Sequence, residues 1–150
     1  MPLRTRILST AILMGFFSSL FGCSGNNTNS RYVNEHSFQG NRAKQTAMSP
    51  LTVAQLRQHG VTDQATLELE VFFYTDTEAK STALAASLKA LNYDVQIGAS
   101  SGEGQPYIVT GQTIPIAMDE HSVVEWTDQM CRIGYKHDCL FDGWGTNLEQ

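Results

Sequence analysis

Hydrophobic and polar positions settle into a regular rhythm from Ser49 onward. Ser49-Pro50 reads as a capping hydroxyl followed by proline at the first helical position, and the pattern predicts a short helix over 51–59 that stops at Gly60. Leu67, Leu69, Val71 and Phe73 alternate along 67–74, as period two requires of a half-buried strand. That leaves Glu68, Glu70, Phe72 and Tyr74 on the other face. Leu84, Leu88 and Leu91 mark an amphipathic helix over 78–91, with Thr77 as its cap. Strands are predicted over 93–97 and 107–114, separated by a turn-rich stretch at 100–105. Val123, Trp126, Met130 and Ile133 share one face of a last helix over 119–133, which Gly134 is expected to end. The tail beyond could add an edge strand. This order predicts an α+β, ferredoxin-like split β-α-β sandwich: an antiparallel sheet with helices mainly on one face, preceded by a short helix.

Upstream of Ser49 the pattern changes in kind. Arg4 and Arg6 precede the uncharged stretch 7–21, the layout of an export signal. That stretch is shorter than the ~20 apolar residues of a bilayer-crossing helix. It ends in Leu20-Phe21-Gly22-Cys23, which resembles the lipobox of bacterial lipoproteins, although Phe21 is bulkier than the usual residue there. The resemblance implies a signal peptide over 1–22, lipid attachment at Cys23 and a site in the cell envelope facing the periplasm. Ser24 after the cysteine points to the outer membrane. An uncleaved anchor, or a signal cut elsewhere, is the alternative. Residues 23–48 are polar, with Ser24 to Ser30 uncharged, and are expected to form a disordered tether. The folded domain is expected over 49–150.

Charge narrows the partners. The chain has ten Lys+Arg against fifteen Asp+Glu, a formal net charge of −5. From Leu51 on, the only cations are Arg57, Lys80, Lys89, Arg132 and Lys136. Such a surface repels phosphate backbones, so direct nucleic-acid binding is disfavoured. Acidic Glu68 and Glu70 beside Phe72 and Tyr74 suit a basic, partly apolar protein surface. No catalytic or metal-binding constellation stands out, and no cofactor is implied. His137, Asp138 and Cys139 near Cys131 match no standard zinc spacing, which leaves a small metal-dependent enzyme as the weakest reading. In an oxidising compartment Cys131 and Cys139 are expected to form a disulfide, with buried reduced thiols as the alternative.

The tail string Phe141-Asp142-Gly143-Trp144-Gly145-Thr146 is the most distinctive in the chain. By itself it reads as a structural plug, with the indole packed down between two glycines. Together with LELEVFFYTDTEAKSTALAASLKALNYDVQI it resembles the regulator of ribonuclease activity B family, the ribonuclease E inhibitor domain, over residues 51–148. The resemblance implies a non-catalytic domain that acts by binding a protein, ribonuclease E in the family precedent, and marks Asp142, Gly143, Trp144 and Gly145 as its defining element. The expected export signal conflicts with a cytoplasmic ribonuclease target, so an envelope partner is expected. A cytoplasmic ribonuclease E inhibitor is the alternative. In cells, a fatty-acid analogue should label the chain, and Cys23→Ser should abolish the label; equal labelling of both sinks the lipoprotein reading.

Overall fold

The computed structural model describes residues 30–148. The expected signal over 1–22 and Cys23 lie outside the described residues, as does the expected tether up to Asn29. In chain order the elements are α1 (Glu35–Gln58), β1 (Thr66–Leu67), β2 (Glu70–Thr75), α2 (Glu78–Lys89), β3 (Asp94–Gly102), β4 (Gln105–Gln112), β5 (Ile116–Ala117), α3 (Glu120–Lys136) and β6 (Leu140–Gly145). Four strands form one antiparallel sheet in the order β3-β4-β2-β6. Strands β2 and β3, joined through α2, run parallel on either side of the antiparallel β4. This is the expected α+β, split β-α-β arrangement. The short β1 and β5 pair with each other outside the main sheet.

Local chemistry sets the helix ends. Asn34, Thr77 and Asp119 cap α1, α2 and α3, each side chain accepting a backbone N–H three residues on. Each helix has an acid in its first turn and a cation in its last, matching the helix dipole. Each is followed by a residue in the left-handed region: Gly60 (φ 89°), Asn92 (φ 63°) and Asp138 (φ 58°). The next N–H then turns back to the helix, as when Cys139 donates to the Gly134 carbonyl at 2.8 Å.

Four expectations need correction. Residues 35–48, expected to be disordered, form the first half of the 24-residue α1. Ser49 is therefore no cap. It is buried in mid-helix, with its Oγ 2.7 Å from Thr127 Oγ1 and accepting the Trp144 indole N–H at 3.3 Å. Strand 67–74 is broken at residues 68 and 69. The Leu69 N–H goes to the Thr113 hydroxyl at 2.8 Å, and its carbonyl accepts the Thr113 N–H at 2.9 Å. Gly134 does not end α3 but lies within it. A Cβ there would sit 2.7 Å from the Cys139 carbonyl oxygen and 3.1 Å from the Phe73 ring, so the glycine serves close packing.

The core lies between one sheet face and the helices. Leu69, Val71, Phe73, Val109 and Phe141 meet Leu84 and Leu88 of α2 and Val123, Trp126 and Met130 of α3. Helix α1 packs on α3 and along β6. No helix among the described residues is long and apolar enough to cross a membrane. Pro50 inside α1 leaves the Thr46 carbonyl without its helical N–H donor. Pro50→Ala should therefore stabilise the protein by about 1–3 kcal/mol. Urea denaturation reads this, and an unchanged or lowered midpoint contradicts a helix running continuously through position 50.

Candidate protein-docking face

The described residues leave the sheet's other face open, and strand register determines what it carries. Asp94, Gln112, Glu70 and Gly145 form one row across β3, β4, β2 and β6. Gln96, Thr110, Phe72 and Gly143 form the next, followed by Gly98, Ile108, Tyr74 and Leu140. Glu68 and Glu70 are exposed, while Phe72 and Tyr74 are half-buried. Glu70, Phe72 and Tyr74 thus lie at this face, and Glu68, in the strand break, reaches it by accepting the Gln112 side-chain amide at 3.5 Å. Asp94, Gln96 and Ile108 join them. The alternation of Tyr93-Asp94-Val95-Gln96-Ile97 already places Asp94 and Gln96 together, and pairing with β4 brings them beside Glu70.

The DGWG string splits between the two faces. The register shifts between Phe72 and Phe73, leaving Asp142 as the extra residue of a bulge and exposed. Gly143 has φ 133°, a conformation that suits glycine. Trp144 turns to the core side, with its ring 6.0 Å from Trp126 at 80°. It belongs to the packing. Gly145 and Gly143, on the outer face, put no side chain beside Glu70 and Phe72. A cleft of about 180 Å³ between α1 and β6 is lined by Gln45, Met48, Phe72 and Asp142, among others, and gives Phe72 an open approach.

Electrostatics separates the two sides. The cations form their ion pairs elsewhere: Arg42 and Arg132 with Asp128, Arg57 with Asp63, Lys80 with Asp76 and Asp138, and Arg31 with Asp138. Among the described residues, Glu70, Asp94 and Asp142 have no ion-pair partner. Uncompensated carboxylates around two aromatic rings attract a cationic, partly apolar surface and repel phosphate.

The expected disulfide is a correction: Cys131 and Cys139 are both free and buried. Cys131 lies beside Asp128 and Arg42, whereas Cys139 Sγ faces the carbonyls of His137 and Lys80, 3.5 and 3.7 Å away. Burial pushes the thiols up to about 12 and about 11, so both stay protonated at neutral pH. His137 Nε2 is 2.7 Å from the Ser87 hydroxyl. No three His, Cys, Asp or Glu side chains among the described residues converge as a metal site would require.

Sequence reasoning missed Asp138, which anchors the segment leading into α1. Its carboxylate accepts the Tyr32 and Val33 N–H groups at 3.0 and 2.7 Å and pairs with Lys80 at 2.7 Å. Its carbonyl accepts the Thr75 hydroxyl at 2.9 Å. Burial works to raise its pKa, but the Lys80 ammonium and the two N–H groups outweigh it and hold the pKa below the usual value.

Together these features define a small α+β domain with an open, acidic sheet face. The chain belongs to the Regulator of ribonuclease activity B family, whose model matches residues 46–146. No curated protein matches the chain. The family gives the domain a regulatory, protein-binding role.

The depressed pKa of Asp138 fixes the sign of a pH effect. Its stabilisation is complete above the unfolded carboxylate value of about 3.9 and is lost as pH falls through the folded value. Asp138→Asn should cost about 1–3 kcal/mol at neutral pH and flatten the acid limb of the stability curve. Denaturation series across pH test this; a limb as steep as wild type's counts against the assignment.

Proposed function

We propose that this chain is a non-catalytic, membrane-tethered regulator that binds an envelope protein through the open sheet face. The observation that carries the docking surface is the set of unpaired carboxylates, Glu70, Asp94 and Asp142, around Phe72 and Tyr74. Aromatic side chains supply binding energy at the centre of an interface, and the acids steer a basic partner. The location rests on residues 4–23, whose charge and apolar pattern match a lipoprotein signal ending at Cys23. Anchored there through its lipid and facing the periplasm, the domain is separated from a cytoplasmic ribonuclease. The partner is therefore a protein with a basic, partly apolar surface exposed in the envelope.

The unbridged Cys131 and Cys139 favour a second reading, a cytoplasmic inhibitor of ribonuclease E. Buried protonated thiols suit a reducing compartment, and the family precedent acts there. A reporter fused after Gln150 separates the two: activity of a periplasm-dependent reporter removes the cytoplasmic reading, and its silence removes the envelope one. Crosslinking of the tethered domain in cells should trap a specific protein. Tyr74→Ala and Glu70→Lys should each weaken that capture about tenfold or more, the scale of an interface hot spot. If neither change alters the capture, the open face is not the docking site.

A further inference from the structure

The two edges of the sheet are built differently. At β6, Asn41 of α1 donates to the Phe141 carbonyl at 2.7 Å, so the leading helix covers that edge. At β3, pairing among the described residues is with β4 alone. The other side of that strand presents unpaired backbone donors and acceptors.

Natural edge strands are commonly blunted by lysine, proline, an early bulge or a covering element. Strand β3 reads DVQIGASSG, with Asp94 at its start as its one charge. Its register with β4 is regular from Asp94 to Ala99, and the irregularity comes only between Ala99 and Gly102. Val95, Ile97 and Ala99 alternate onto the helix-covered face. Ile97 pairs with the fully buried Val109, yet remains 43% exposed. A large apolar side chain therefore stands at the middle of an edge that no described strand pairs with.

We propose that β3 pairs antiparallel with the β3 of a second copy of this chain, about a two-fold axis at Ile97. Side chains on one face of a sheet must meet partners on the same face, and this register satisfies that condition. Ile97 meets its own counterpart, and Val95 meets the partner's Ala99. Asp94 meets the partner's Ser100, which sets the two carboxylates at opposite ends of the pairing, roughly 20 Å apart at strand spacing. The near-neutral edge favours a second copy over the basic partner suited to the outer face. Pairing joins two four-stranded sheets into one of eight strands, with the helices on the same side. Because α1 covers the β6 edge, assembly closes at two copies instead of growing into a fibre. The outer face stays open in both copies, so dimerisation and partner binding use separate surfaces.

Sedimentation of the full chain in detergent should show a dimer that dissociates on dilution. Ile97→Lys should be monomeric at every concentration, while Glu70→Lys on the outer face should dimerise like wild type. In a Cys23→Ser background, Ile97→Cys should be joined into dimers by a short thiol-reactive cross-linker. Leu51→Cys, on the exposed side of α1, should not. The native Cys131 and Cys139 are buried and protonated and do not compete. The cross-linking arm also covers the case in which Ile97→Lys misfolds. A wild-type monomer throughout, a folded Ile97→Lys that still dimerises, or an Ile97→Cys product containing a different protein would each overturn the proposal.

Discussion

Asp138 holds together parts of the molecule that no helix or strand connects. It ends α3 in a left-handed turn, while its backbone carbonyl ties that turn to Thr75 at the end of β2. Its carboxylate holds the segment entering α1 and reaches Lys80 on α2. Burying a carboxylate is costly unless its lone pairs are satisfied, and here backbone N–H groups and an ammonium satisfy them. With that junction fixed, α1 has a defined starting point from which to run along α3 and cover the β6 edge. The left-handed φ at a non-glycine position is consistent with a residue kept for its side chain.

The family-defining tail separates into a structural part and a surface part. Trp144 fills the space between α1 and α3, with its indole N–H satisfied by Ser49. The glycines and the Asp142 bulge shape the opposite surface. Alternation along a strand sends neighbours to opposite sides, so a four-residue string can serve the core and the surface together. Mutations across the string should therefore not be interpreted as one functional unit.

What the sequence made legible was what local periodicity encodes. The alternation around Val71 and Phe73, Leu84 and Leu88 of α2 and the apolar face of α3 each appear where expected, and their order suffices for the split β-α-β topology; Leu91, expected on the α2 stripe, instead falls past the helix end at Lys89 and is exposed. The first half of α1 was not legible in this way. The buried residues of the whole helix are Phe38, Gln45, Ser49, Val53 and Leu56, a helical stripe in which two positions are polar. Those two positions are favourable only because of the surrounding fold: the buried Ser49 hydroxyl meets Thr127 and Trp144 from α3 and β6. The acidic outer face was half legible, because the alternation from Glu68 to Tyr74 outlines it while Asp94 joins only through the register with β4. The cysteines misled because eight residues of separation say nothing about direction, and a helix end followed by a tight turn sends the two sulfurs apart.

The early start of α1 also shortens the tether that the proposed lipid anchor would provide. Under the proposed lipid anchor at Cys23, Arg31 and Tyr32 are the first described residues with a side-chain or ion-pair tie to the fold, well ahead of the helix expected at Ser49. Fully extended, those eight or nine residues reach about 30 Å, against roughly 90 Å for a tether running to residue 48. Shorter reach confines the domain to a thin shell and raises its effective concentration towards neighbours in the same membrane. On the proposed envelope reading, a partner would then expose its basic surface within about one domain's width of the bilayer, which favours another membrane-attached protein over a freely diffusing one.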